Sequence, residues 1–223
     1  MHIPDGFIDL QTSAIFAGAA AICVGISLKG ARRELDDKSA PLAGLTAVFI
    51  FAVQMLNFPV GAGTSGHLLG AALAMVLVGP YAATLALSVV LIIQAFLFAD
   101  GGLTALGLNI FNMGVVGVWA SFGIFFILKK LLPKTKSSIV VASFIAALLS
   151  VPAAAAGFVL QYAIGANATF SVSAVLSAMI GTHVFIGIGE AIITALTVSA
   201  VLASRSDLVF GWDNQNTKLE IRS

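Results

Sequence analysis

Apolar runs of about twenty residues recur along the whole chain, and nothing else in the sequence limits its fold as strongly. The segments 11–28, 41–58, 66–79, 81–98, 108–128, 138–163 and 171–204 are built almost wholly of apolar and small residues. At about 1.5 Å of rise per residue, each is long enough, or nearly so, to cross a hydrocarbon core of about 30 Å as a helix. Composition agrees, with 59% hydrophobic and 9% charged residues. The expected fold is an all-α, polytopic membrane protein with seven transmembrane helices in one bundle, a single integral domain over residues 1–223. The third run is short. The last exceeds one crossing, so it is expected to begin as a surface helix or loop.

The cations give an orientation. Lys29, Arg32, Arg33 and Lys38 come after the first run, Lys129, Lys130, Lys134 and Lys136 after the fifth, and Arg205, Lys218 and Arg222 lie in the 205–223 tail; these are all 11 Lys and Arg of the chain. With seven spans every cluster falls on one side, which the positive-inside rule makes cytoplasmic, leaving the N-terminus outside. Residues 1–10 carry Asp5 and Asp9 and no Lys or Arg before the apolar run, unlike a secretory signal peptide. His2 is bulky, so Met1 is expected to be retained with a free amine. The single Cys23 excludes an intrachain disulfide and a thiolate metal cluster.

That free amine matters because a histidine stands next to it, in Met1-His2-Ile3-Pro4-Asp5-Gly6. The terminal amine, the His2 amide and the His2 Nδ1 close a five-membered and then a six-membered chelate ring around one metal ion. The three nitrogens lie nearly in a plane and leave a fourth equatorial position. Such sets favour Cu(II) or Ni(II), with Co(II) also accommodated.

Polar residues near the spans collect at the outer ends: Gln54 and Asn57, Thr64, Ser65 and His67, Gln94 and Asp100, Asn109 and Asn112. Polar groups are costly against lipid, so a water-accessible outer cavity is expected, although Gln54 or Asn112 equally well ties two helices together. His67 sits in Gly63-Thr64-Ser65-Gly66-His67-Leu68-Leu69-Gly70, where Thr64 or Ser65 is expected to cap the helix and the glycines permit close packing. His67 is the candidate fourth nitrogen. In the last run, His183 falls near the outer boundary and Glu190 about two turns deeper. An acid within a span needs a partner, and hydrogen bonds to His183 or to a neighbouring helix are expected. The pair is read as orienting a ligating ring from behind, with direct ligation by His183 as the alternative.

MHIPDGFIDL at the start, GTSGHLLG at the third run and HVFIGIGEAIIT in the last closely resemble the CbiM/NikM family, the membrane-embedded substrate-binding subunits of cobalt and nickel energy-coupling-factor transporters. The resemblance covers nearly the whole chain. It implies that Met1, His2 and His67 hold Ni(II) or Co(II) as the transported substrate, with no organic cofactor. His183, Glu190, Asn57, Ser65 and Asn109 are candidates for supporting or pathway roles. The implied partners are two ATPase subunits, a transmembrane coupling subunit and a small auxiliary membrane protein, in a prokaryotic cytoplasmic membrane; no nucleic acid is implied.

A dependent subunit fits the sequence, which lacks a G-x-x-x-x-G-K-[ST] phosphate loop and has cytoplasmic segments too short for an ATPase. Candidate docking stripes are Ala14, Gly18, Ala21 and Gly25 on the first span and Ala153 to Gly157 on the sixth, although packing within the chain explains both equally. A proton-coupled secondary transporter using Glu190, and an intramembrane metal enzyme built on His67, His183 and Glu190, are the alternative classes; H-E-x-x-H is absent. A planar nitrogen set with an amide anion leans modestly toward nickel.

Overall fold

The computed structural model describes residues 1–35 and 39–212. Lys38, Lys218, Arg222 and the end of the expected tail lie outside the described residues. The helices are α1 (Leu10–Glu34), α2 (Ser39–Gln54), α3 (Ala71–Val78), α4 (Pro80–Phe98), α5 (Leu106–Asn109), α6 (Val118–Leu131), α7 (Lys136–Gly165) and α8 (Val172–Ser204). A π-helical stretch, Ile110–Gly117, joins α5 to α6 in one continuous rod. Among the described residues, α1, α4, the Leu106–Leu131 rod, α7 and α8 are long and apolar enough to cross a membrane. The α2 helix, at 16 residues, is somewhat shorter.

The helix ends reflect local chemistry. Asp9 caps α1 by accepting the Thr12 N–H at 2.8 Å, and Arg32 and Arg33 sit in its last turn, where the helix dipole favours cations. Thr135 and Ser171 cap α7 and α8 through the Ser138 and Ala174 N–H groups, both at 3.2 Å. Pro80 opens α4, where its missing N–H costs nothing, and Glu34 reaches across from α1 to accept the Ala82 N–H at 2.8 Å. Within α7, Pro152 cannot bond the Leu148 carbonyl. Gly187 of α8 lies against that oxygen, so closely that a Cβ there would stand 2.8 Å from it, and α7 and α8 pack along their lengths at this contact.

Three sequence expectations need correction. The fold is not purely helical: β1 (Phe58–Val60) and β2 (Thr64–Gly66) form an antiparallel hairpin with Phe58 opposite Gly66, closed by a turn in which Ala62 and Gly63 adopt left-handed conformations. The third run is therefore helical only over α3, which is about 12 Å long and buried at every residue. Thr64 and Ser65 belong to β2 and do not cap α3; the cap position is Gly70, in the left-handed region. The last run is one unbroken helix of 33 residues, capped at Ser171, with no separate surface element before it.

The N-terminal segment enters the bundle before α1 begins. Met1 and Ile3 are fully buried, and Phe7 packs on Phe158, Tyr162 and Phe170. Backbone bonds fasten it: Gly102 N–H to Ile3 O at 2.8 Å, Asn167 N–H to Phe7 O at 3.1 Å and Asp9 N–H to Gly165 O at 2.8 Å. Its side-chain anchors are Asp5, which accepts both the N–H and the hydroxyl of Thr104, and Asn167, which donates to Gly6 O.

Candidate metal centre

The docked segment carries its first two residues to the end of the β1–β2 hairpin. The Met1 amine bonds the Ser65 carbonyl and lies 3.2 Å from the Ser65 hydroxyl. Burial pushes this amine down to about 4 from its ordinary 8.0, so it is a neutral lone-pair donor at neutral pH. The His2 ring meets the His67 ring with centroids 4.5 Å apart and planes 30° from parallel. Burial takes the His2 imidazole down to about 3, so it too is neutral.

Each ring is held by one nitrogen and free at the other. His2 Nε2 donates to Gln94 Oε1 at 3.2 Å, and His67 Nδ1 donates to Leu68 O at 2.9 Å. His2 Nδ1 and His67 Nε2 are buried with no hydrogen-bond partner. Metal-binding histidines are commonly oriented in this way, one nitrogen fixed by a carbonyl and the other bare. Asp100 Oδ1 lies 3.2 Å from His2 Nδ1, but the pair lacks hydrogen-bond geometry and a neutral ring makes no ion pair. The carboxyl of Asp100 is raised by its partial burial, against the opposing Asn57 Nδ2 bond at 3.1 Å and the nearby amine.

Among the described residues no group of three or more His, Cys, Asp or Glu side chains is arranged to hold a metal ion. The donors brought together here are of another kind: a terminal amine, the adjacent His2 amide, and two bare imidazole nitrogens. A cavity of about 320 Å³ bordered by His2, Asn57, Ser65 and Asp100 leads to them.

The residues read as supporting the site have partners that the sequence did not give. Asn109 holds both polar groups of Ile3, accepting its N–H at 2.8 Å and donating to its carbonyl at 3.3 Å. Glu190 is not bonded to His183. Its carboxylate accepts the Leu69 N–H at 2.5 Å and the Gly70 N–H at 3.0 Å, so it fastens the loop just after His67. Gln54 donates to Leu69 O at 2.8 Å in the same loop. His183 instead donates to Met179 O at 2.7 Å on its own helix. Asn112 ties the π-helical stretch to Gln161 of α7 at 2.7 Å. Gly102 and Thr104 contribute what was not foreseen, and Gln94, named among the polar residues at the span ends, gains its partner only here, the His2 ring.

Among the described residues, five long apolar helices packed around a buried N-terminal segment, with the stacked His2 and His67 rings beside a cavity, are the features of an integral membrane protein. Residues 2–208 match the family described as the cobalt uptake substrate-specific transmembrane region, CbiM, and the chain belongs to this family of cobalt and nickel transport proteins. It is 37% identical over 223 residues, all of both chains, to a Haloquadratum walsbyi protein named for metal transport. It is 44% identical over 117 residues to the fused nickel transport protein NikMN of Rhodobacter capsulatus, a match covering 52% of this chain and 34% of that longer one. A crystal structure described as a transition metal transporter superimposes with a TM-score of 0.82 at 29% identity, covering 100% of this chain and 99% of the other.

Proposed function

We propose that this chain is the substrate-specific subunit of an ATP-driven energy-coupling-factor uptake system, capturing Ni(II) or Co(II) from outside the cell with a modest preference for nickel. The reading is supported by one observation above the others: the buried His2 Nδ1 and His67 Nε2 have no hydrogen-bond partner, and their rings lie 4.5 Å apart in the segment that also buries the Met1 amine. Met1, His2 and His67 supply the four nitrogens; Gln94, Asn109, Ser65 and Glu190 hold them in place. Capture and closure are one event, because the ion joins the inserted segment to His67.

The chain crosses a prokaryotic cytoplasmic membrane seven times, with the N-terminus outside and the cations inside. Energy comes from two partner ATPases through a membrane coupling subunit, together with a small auxiliary membrane protein. For the coupling subunit the α1 stripe is the better candidate face. Ala14, Gly18, Ala21 and Gly25 are exposed, and a Cβ added to Gly18 or Gly25 would meet nothing within 4 Å. By contrast, Ala154 and Ala155 are buried and Gly157 lies against Asn112, so the second small-residue stretch is used within the chain.

Uptake of radioactive nickel into vesicles, with and without ATP and the partner subunits, tests the assignment. Strict dependence on both is expected. Uptake driven by a proton gradient in this chain alone would replace it with a secondary transporter.

A further inference from the structure

The helix α3 is only about two turns long, yet it touches α2, α4, α6, α7, α8 and the π-helical stretch and is buried at every residue. Its two ends are held in different ways. At the first, the carboxylate of Glu190 accepts the Leu69 and Gly70 N–H groups and Gln54 donates to Leu69 O, just after His67. At the second, a helix on its own leaves its last carbonyls without partners. Gly79 N–H takes the Met75 carbonyl, and the next two are taken from the far end of the described chain: Gly211 N–H donates to Val76 O and Phe210 N–H to Leu77 O, both at 3.2 Å.

That segment follows α8. Ser206–Leu208 form one 3₁₀ turn, and Val209 to Trp212 then run back along the end of α3. Val209 and Gly211 are buried, while Phe210 between them is 44% exposed. A Cβ on Gly211 would stand 2.5 Å from the tip of the Phe125 ring. Glu34 completes this floor, with its carboxylate against Gly79 and accepting the Ala82 N–H. A cavity of about 210 Å³ bordered by Glu34, Leu77, Val78, Asp207 and Phe210 reaches the same end of α3. The cavity beside His2 lies toward the other end, so α3 stands between the two.

We infer that Val209 to Trp212 form a latch on α3, and that α3 is the inner gate of this protein: while the two backbone bonds hold, α3 closes the way inward, and when they part α3 shifts and the ion leaves toward the inner cavity. The inference rests on the function proposed above. The latch is the movable member because the first end of α3 is held by Glu190 and Gln54, side chains of α8 and α2, whereas the second is held by two main-chain bonds and one fully buried side chain, Val209. Segments with so few buried contacts open at the lowest free energies. Latch and His67 loop act on opposite ends of one helix, so a shift of either biases the other. The exposed Phe210 ring at the rim of the inner cavity is the handle by which a partner can draw the latch away.

The test uses the full chain with its native N-terminus, assembled with its ATPase and coupling partners in vesicles. Hydrogen exchange at the Phe210 and Gly211 amides should rise about tenfold during ATP-driven nickel uptake over the resting assembly. Unchanged protection while uptake proceeds would overturn the inference without any variant. Gly211→Leu, which drives a side chain into the Phe125 ring, should detach the latch and speed nickel release into excess chelator about tenfold at an unchanged rate of capture. On a Cys23→Ala background, a Val78→Cys thiol, buried behind the closed latch, should then react with an impermeant maleimide applied from the cytoplasmic side. Release and thiol reactivity at the level of the latched chain, with the Phe210 and Gly211 amides shown to be unprotected, would also overturn the inference. A native chain that takes up no nickel with its partners and ATP refutes the proposed function; uptake past a latch that never opens refutes only the latch.

Discussion

Replacing Glu190 should weaken metal capture although its carboxylate is bonded to backbone amides and not to any of the four nitrogens. The side chain is 3% exposed and accepts two N–H groups, those of Leu69 and Gly70, at the entrance to α3. Gly70 is the N-cap of α3, one of the donors a helix N-terminus leaves unpaired, and a carboxylate there also meets the positive end of the helix dipole. Glu190→Gln keeps the shape and one acceptor but sets an NH2 group against the other N–H. One buried donor is then unsatisfied, at about 1–3 kcal/mol; Glu190→Ala leaves two, at roughly double. The loop concerned begins at His67. If the whole cost falls on the bound geometry, Ni(II) affinity of Glu190→Gln drops by roughly five- to a hundredfold, measured by competition with a chromophoric chelator on purified protein. Thermal unfolding of the metal-free form separates loss of site geometry from loss of fold. Wild-type affinity together with wild-type stability in Glu190→Gln would refute this reasoning. Loss of proton-gradient dependence at unchanged affinity would instead make Glu190 a proton carrier.

Gly102→Ala should stop the N-terminal segment from seating, because a Cβ there would stand 2.8 Å from the Pro4 carbonyl carbon; N-terminal protease sensitivity and lost nickel binding report it, and normal binding would contradict it. Gln94→Leu removes the acceptor that holds the His2 ring with Nδ1 bare, and a ten- to hundredfold loss of nickel affinity by competitive titration is expected. Acidification should loosen the docked segment. The undocked amine and imidazole bind protons below about 8.0 and 6.5, the docked ones only below about 4 and about 3, so the undocked form gains protons as pH falls. Docking is strongest above pH 8 and weakens progressively toward pH 4, which hydrogen exchange at the Ile3 amide tracks; protection independent of pH in that window would refute the burial of a neutral terminus. Gly18→Leu on α1 should reduce ATP-driven uptake with the partner subunits present while leaving nickel binding intact, and unchanged uptake would move the docking face elsewhere.

Much of this was legible in the chain because the chemistry depends on place in the sequence. Met1 and His2 are readable as candidate chelate partners by adjacency alone, and the glycines around His67 marked close backbone packing, although not the hairpin that precedes it. The limits of α4, α7 and the Leu106–Leu131 rod lie within about two or three residues of the apolar runs that foretold them. The hairpin was not legible, since three-residue strands in the short link between two apolar runs carry too little alternation to stand out. Nor were the partners of Glu190, which lie 121 and 120 residues away in sequence. An acid in a span announces that it needs a partner, but only the packing of α8 against the His67 loop says which. Gln94 and Gly102 are similar: their roles exist only once the N-terminal segment has folded back onto α4 and the loop after it.

The central claim is that the free amino terminus is itself a ligand. The measurement that tests it most directly is metal content and visible absorption of nickel-loaded protein with its native N-terminus, beside a version carrying one additional residue before Met1. The account predicts one equivalent of Ni(II) with a planar spectrum in the native form and neither in the extended form. Equal binding with the same spectrum in both would contradict it, and the ion would then have to be held by side chains, His67 and His183 among them, without the terminal amine.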